Sequence, residues 1–355
     1  MGSALVLIVQ SFRVEVEWGA MSAELLSGTV SHIRIYPLKS GGALEKSQGG
    51  GLTADLPSAI LTPGGIQTPE GVRDHEFMLV REEANDQGVH EKITQRDKRN
   101  KQDRAQGLSD LARIKPQFIG GNLYFTWDRR DAVEVPLDVN GGTALPVEIW
   151  DGVYEAVDQG DMLADWASTH LRLPVRLVKA TGGFRRLANQ NYMQNNNAIL
   201  MQDGYPIHWL TEASVGELNE KAQALADQSE GKISHSEIKW ESFRPQIVVR
   251  DMPSRYEHQI LKGVLAGIPF QNAKPCDRCP MPKVDQETGA VNKLDPNTVL
   301  ATYKSWINVR GERKTIFGEN MNPFGTGVIF VGDLITTTEL RNPPLIYAPA
   351  RDRLI

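Results

Sequence analysis

Beyond Val30 the chain is written mostly in short apolar segments bounded by turn residues, and this texture limits the fold more than any other feature. VSHIRIYPL sets Ile33 and Ile35 on one face and stops at Pro37. EFMLVRE (76–82), GNLYFTW (121–127), AVEVPLDV (132–139), LPVEIW (145–150), PVRLVKA (174–180), PQIVVR (245–250), QILKGVLAGIPF (259–270) and GVIFVGD (327–333) have the same character. Each is rich in β-branched or aromatic residues and reads as a strand. Helical spacing is rarer. DMLADWASTHL places Leu163, Trp166, Ala167, His170 and Leu171 on one face, so His170 is read as a packed or rim histidine rather than a ligand. LTEASVGELNEKAQALA starts a second helix, capped by Thr211 or by Ser214, and Ser214 with Glu217 matches a capping box. Val215, Leu218, Ala222 and Leu225 form its apolar stripe. DPNTVLATYKSW puts Asp295 at a cap and Pro296 at the first helical position. Many strands with few helices predict a mixed α/β, predominantly β chain built on barrels, not a doubly wound parallel sheet.

The chain has 355 residues, enough for two domains of roughly 100–200 residues each. A net charge of −5 argues against a broad nucleic-acid-binding face. The apolar run Ala4–Phe12 is far short of the roughly 20 residues that span a bilayer, and it lacks the basic start of a secretory signal. A cytoplasmic protein without a membrane anchor is the expectation. Met21 can serve as the start, so residues 1–23 are set aside as an extension. The polar run 181–197 marks a junction between domains at 24–180 and 181–345, with early strands of the first free to join the barrel of the second and 346–355 as a tail. ADLPSAILTPGGIQTPEG (54–71) and RDKRNKQDRAQG (96–107) read as solvated surface loops.

Both cysteines lie in NAKPCDRCPMPKVDQETG, residues 272–289. A closed zinc site needs four ligands, and no second cysteine pair or nearby histidine pair supplies them. A thioredoxin-like dithiol normally opens a helix, whereas Pro280 and Pro282 follow Cys279 here. Two thiols packed in a loop is the plain structural alternative. The last reading is a single thiolate on a metal whose other ligands come from a cofactor. The cations Lys274, Arg278 and Lys283 would favour the thiolate.

Such a cofactor needs an anion-binding grip, and scattered pieces suggest one. YPLKS places Lys39 and Ser40 in a turn after a strand, GVRDHEF places Arg73 before another, and SFRPQIV places Arg244 at the mouth of a third. The cap at Thr211 and Ser214 offers a helix N-terminus, where free amides and the dipole favour a phosphate. Each piece has an ordinary alternative as an ion pair or a simple cap, and spacing alone does not make them converge.

VSHIRIYPLKS, RDHEFMLV, ITQRD, LTEASVGELN, FRPQIVV, KPCDRC with VDQETG, TVLATYKSW and VGD occur in the order found in MOSC-domain proteins that carry a MOSC N-terminal domain. From about residue 28 to about residue 335 the chain resembles the mitochondrial amidoxime-reducing components and bacterial reductases of N-hydroxylated bases. The resemblance implies a MOSC β-barrel with a smaller N-terminal α/β domain. It also implies a molybdenum cofactor, Mo-molybdopterin, ligated by Cys276, with Cys279 not a ligand. Lys39, Ser40, Arg73, Thr211, Ser214 and Arg244 are then expected to hold the pterin and its phosphate. Asp285 orients the cysteine loop or stabilises its turn. FGENMNPFG (317–325), with Phe317 and Asn320, is expected to close over the site.

The activity implied is reduction of the N–O bond of a small N-hydroxylated substrate, with oxygen leaving as water. His208 is the nearest candidate for a proton donor, or else a packed edge-strand histidine. No further cysteines follow in YAPARDRLI, so electrons are expected from a separate protein of flavin reductase, ferredoxin or cytochrome type. Gln246, where the family usually has Asn, and Pro280-Met281-Pro282 depart from the pattern beside expected cofactor contacts. The 54–71 stretch resembles an insertion. Two other readings remain: a sulfur carrier holding a persulfide on Cys276, and a non-catalytic cofactor-binding module.

Overall fold

A computed structural model describes residues 25–48, 51–95, 108–138, 141–150, 152–193, 196–229 and 236–348. Seven strands form its centre: β1 Ser27–Ile33, β2 Ile207–Thr211, β3 Ile247–Arg250, β4 Ile260–Leu265, β5 Ile268–Asp277, β6 Arg313–Pro323 and β7 Leu334–Leu340. They follow the order β2-β3-β1-β7-β4-β5-β6, and β6 pairs back onto β2, closing a barrel. Closure removes the unpaired edges that an open sheet would expose. All neighbours are antiparallel except β2 and β3, which run parallel through Trp209 opposite Ile247. β1 comes from the segment assigned to the N-terminal domain, yet it lies in the barrel between β3 and β7.

Two five-stranded sheets flank the barrel. One runs through Asp131–Val135, Asn122–Trp127, Ile114–Ile119, Glu45–Gln48 and Gly51–Thr53. The other runs through Phe77–Arg81, Val175–Lys179, Gly152–Asp158, Ala144–Ile149 and His90–Glu91. The helix α1, Asp161–Leu171, packs Leu163, Ala164, Ala167 and Leu171 inward beside Val175–Lys179. His170 stacks on Trp127 and its Nε2 donates to Asp131 Oδ2 at 2.6 Å, as a rim histidine does. One apolar cluster joins Val30, Ile33, Phe270 and Met321 of the barrel to Phe77, Leu79 and Phe125 of the flanking sheets, so the units share a core.

Three local expectations are corrected. QILKGVLAGIPF is not one strand: Leu265 pairs with Ile268 across a two-residue turn in which Ala266 (φ 48°) and Gly267 (φ 80°) are both left-handed. Residues 54–71 are not a solvated loop. Ser58–Thr62 and Gly65–Gln67 form a hairpin that pairs with Gly327–Phe330 and buries Ala59, Leu61 and Ile66. FGENMNPFG is not a closing segment, because residues 313–323 are barrel strand β6. The 96–107 stretch and the 1–23 extension lie outside the described residues.

The helices α2, Glu212–Gln228, and α3, Pro296–Tyr303, cover one side of the barrel. Asp295 caps α3 by accepting from Asn297 N, with Pro296 in the first turn. Thr211 caps α2 by accepting from Ser214 N. Ser214 is therefore inside the helix, and Glu217 turns to Arg255 and Ser254 instead of closing a capping box. Among the described residues no helix is long and apolar enough to cross a membrane.

Candidate functional site

β5 carries the cysteine motif. Its pairing with β6 slips between Asn272 and Lys274 and again between Pro275 and Asp277, which kinks the strand just where Cys276 leaves it. Bulges of this kind re-aim side chains beside functional sites. Cys276 is half-buried, and Arg278 Nη1 reaches its Sγ at 3.1 Å. The same guanidinium donates to the carbonyls of Phe317 (3.4 Å) and Phe243 (3.3 Å), while its buried Nε has no partner. Burial pushes the Cys276 thiol pKa up, and Arg278 and Lys274 pull the other way. Proximity of cations therefore does not by itself yield a thiolate here, contrary to the sequence expectation.

His208, on β2, places Nε2 3.2 Å from the Phe317 carbonyl. Burial and the Arg278 charge push its pKa down to about 3, and the same Nε2 lies 3.4 Å from Arg278 Nη1. Gly318 permits this approach: at φ 69° a Cβ there would lie 2.5 Å from His208 Nε2. His208 thus bridges the Phe317 carbonyl and the Arg278 guanidinium beside Cys276.

The residues after Cys276 form a rigid loop. Asn297 of α3 donates to the Cys279 carbonyl at 2.7 Å. Pro280 and Pro282 shape a short 3₁₀ turn, Met281–Lys283, that packs against the turn Trp240–Phe243. The unusual Pro-Met-Pro run thus sets the loop's backbone. Asp285 Oδ1 accepts from the amides of Glu287 (3.0 Å) and Thr288 (2.8 Å), which makes it a turn-stabilising residue. Gln286 then reaches across to the N-terminal unit, exchanging bonds with Gln95 and accepting from Lys115 at its carbonyl.

Arg244 follows Phe243 directly, in left-handed backbone (φ 54°). It stacks on Tyr36 at 4.2 Å, donates to the Gly41 carbonyl, and approaches Gln286 Oε1 at 3.3 Å. Its buried Nη2 has no partner. Lys39 and Ser40 lie in the adjoining turn. Ser40 (φ 64°) offers its carbonyl to Gln95, and Lys39 Nζ is held by the Met201 carbonyl and Asp203. The structure therefore brings Lys39, Ser40 and Arg244 together and links them to Cys276 through Phe243 and Arg278.

The other expected contacts are engaged with partners of their own. Arg73 is paired with Glu76 at 2.8 Å and with the Ala180 carbonyl. Thr211 and Ser214 donate to the buried Glu257 carboxylate at 3.1 and 2.6 Å, so the N-terminus of α2 already faces an internal anion. Lys304 completes that cluster, 3.5 Å from Glu257. Phe317 is a core residue stacked on Phe243 at 4.1 Å. Asn320 donates to the Lys274 carbonyl on β5. Gln246 is buried and bonds Asp74 and the His208 amide. Sequence reading passed over Gln95, Gln286, Asp203 and the central role of Arg278. Arg278 and Gln286 lie inside the cysteine motif and Gln95 inside ITQRD, whereas Asp203 left no signal.

The arrangement has the chemistry of an anion site beside the Cys276 thiol, with Cys279 near enough to act on both Cys276 and Arg244. Two buried guanidinium groups keep unpaired donors, a burial that native proteins rarely leave unanswered. Among the described residues no three His, Cys, Asp or Glu side chains converge, so a metal at Cys276 would draw its other ligands from a bound group. These residues fit a thiolate-ligated metal carried on an anionic cofactor. Residues 196–336 match the MOSC domain family. The chain is 23% identical over 311 residues to "Mitochondrial amidoxime-reducing component 1" of Danio rerio, covering 86% of this chain and 83% of that one. It is 22% identical over 316 residues to the Xenopus laevis protein of the same name, covering 86% and 81%. "Molybdenum cofactor sulfurase" of Drosophila persimilis matches at 25% over 275 residues, covering 75% of this chain and 30% of that one.

Proposed function

Because the chain carries a MOSC domain at residues 196–336 and is homologous to the mitochondrial amidoxime-reducing components, we propose that it is a molybdenum-cofactor-dependent reductase of small N-hydroxylated compounds. The observation that carries this reading is the half-buried Cys276 thiol set against Arg278, with the unpaired donor of Arg244 across the Phe243 link.

A bound molybdenum cofactor supplies the two-electron redox chemistry. Cys276 is its protein ligand, and Arg278 lowers the cost of the thiolate charge that burial opposes. Lys39 and Arg244 hold the anionic part of the cofactor, as fixed cations do for a phosphate. His208 and Gly318 keep β2 and β6 in register at the site wall. The net reaction joins an N–OH group, two electrons and two protons, and releases N–H and water. A separate electron-donor protein of flavin, iron–sulfur or cytochrome type delivers the electrons.

The test is metal and pterin analysis of protein made in a molybdenum-replete host, with benzamidoxime reduction driven by a chemical donor. Folded protein that takes up neither molybdenum nor pterin would overturn the proposal. The cofactor-sulfurase match favours a second reading, in which Cys276 carries sulfur. Mass spectrometry that finds a labile extra sulfur on Cys276, without pterin, would select it.

A further inference from the structure

The short strand Ser305–Ile307 runs along the start of β6, with Ile307 opposite Arg313. The same stretch of β6 holds the Cys276 loop. Asp277 pairs with Ile316, and Arg278 N donates to the Thr315 carbonyl at 2.8 Å. On its other side Ile316 N donates to the Lys304 carbonyl at 3.0 Å. Two strand spacings of roughly 4.8 Å each therefore separate the backbone after Cys276 from the backbone that leads into Trp306. Covalent bonds and these hydrogen bonds join the two without a gap. Side chains add a second link. Trp306 lies 5.9 Å from the Tyr192 ring, and Lys274, on the same strand as Cys276, stands 5.5 Å over that ring.

Trp306 also borders a shallow surface groove of about 560 Å³, which it shares with Ile307, Pro344, Ile346, Arg313 and Arg341. Ile307 is 46% exposed and Ile346 77%, and Val309 in the adjoining turn is 67% exposed. Apolar side chains gathered in the open in this way mark an interaction surface. The rim is basic. Among the described residues that line the groove there are two arginines and no carboxylate. The stretch 308–314 carries Arg310, Arg313 and Lys314 against Glu312 alone, a net of +2 on a chain whose net charge is −5. Lys314 pairs with Glu312 and Arg341 with Glu319, while Arg310 is exposed at the tip of the turn.

We infer that a small acidic electron-carrier protein docks in this groove, with its redox centre over Trp306, and that electrons cross from there to the Cys276 site through the paired backbone of 304–306, 315–316 and 277–278. An apolar centre with a charged rim suits a transient partner steered by opposite charge. A second copy of this chain would bring the same cations against Arg310 and Arg313 and be repelled. Each turnover oxidises a one-electron carrier twice. The two electrons, with two protons from water, convert N–OH to N–H and release water. The inference rests on the proposed function, which needs a separate electron donor.

Molybdenum-loaded full-length chain is assayed for benzamidoxime reduction with reduced methyl viologen and, separately, with an acidic two-iron ferredoxin kept reduced by its reductase. Binding of the oxidised ferredoxin is followed by surface plasmon resonance, which needs no bound metal. Arg310→Glu and Ile307→Asn alter exposed side chains, and each is checked for a native melt. Both are expected to weaken ferredoxin binding and raise its KM roughly threefold to tenfold, with viologen-driven rates within about twofold of wild type. The Arg310→Glu defect should shrink at about 0.5 M salt, and the Ile307→Asn defect should persist. No ferredoxin binding by the wild type, or unchanged binding and KM in both variants, overturns the docking face. Equal losses with both donors also overturn it, since the defect then lies in the site. Ferredoxin binding as expected, with no viologen-driven reduction by the loaded wild type, sinks the proposed function alone.

Discussion

At the scale of single residues the two cysteines part company. Cys276 faces a guanidinium, whereas Cys279 sits in a loop whose carbonyl is tied to α3. Cys276→Ser is expected to lose molybdenum and activity together, and Cys279→Ser to keep most of both. Metal content per chain decides it, and equal losses would point to a two-thiolate site. Gln246 carries a different lesson. It looked like a change in the pocket, but its side chain links Asp74 to the amide of His208. Gln246→Ala leaves buried polar groups unpaired and should cost about 1–3 kcal/mol in denaturant unfolding, with cofactor content unchanged. The residue types at the site were legible in the sequence. The direction each side chain takes was not, because Gln246 and Arg244 stand two positions apart and face different neighbours.

At the scale of elements, β6 meets the short 3₁₀ turn Tyr256–His258 in a buried polar cluster. His258 Nδ1 lies 2.9 Å from Glu319 Oε1, and Arg341 lies 3.0 Å from the other Glu319 oxygen. Burial pushes Glu319 up to about 8 and holds His258 well below its ordinary 6.5. Folded His258 stays neutral, while an unfolded histidine loses its proton around pH 6.5, so the small opposing slope from His258 fades by about pH 7.5. Folded Glu319 keeps its proton until about pH 8, while an unfolded glutamate has already lost it. The folded state therefore binds more protons, and stability should fall between about pH 6.5 and 8, by up to about 2 kcal/mol. Glu319→Gln should flatten that part of the pH–stability curve; a slope that survives the substitution would refute the assignment. The helix α2 was legible, though not which of Thr211 and Ser214 caps it. Its capping box was not, because Arg255, far along the chain, claims Glu217.

At the scale of the whole molecule, the barrel closes only because Ser27–Ile33 enters it between β3 and β7. Ser27 pairs with Thr336, and Val30 with Val249. A fragment beginning at residue 181 lacks that strand and leaves two inner edges open. It should be unfolded or aggregated alone and regain a cooperative melt when mixed with a fragment covering residues 1–180. A cooperative melt of the 181–355 fragment by itself would show that β1 is dispensable.

The sequence by itself determined the predominantly β class, the three helices with the Asp295 cap, and the loop that isolates the two cysteines. Those features depend on side-chain period, turn chemistry and hydrogen bonds that span a few residues. Only the tertiary structure decided that 54–71 is a paired hairpin, that β6 is a barrel strand, and that Thr211 and Ser214 serve Glu257. It alone brought Arg244 onto the Gly41 carbonyl beside Lys39, and Asp203 onto the Lys39 ammonium. Such choices belong to pairings between distant parts of the chain, where burial makes each buried charge take the nearest partner that the closed barrel brings to it.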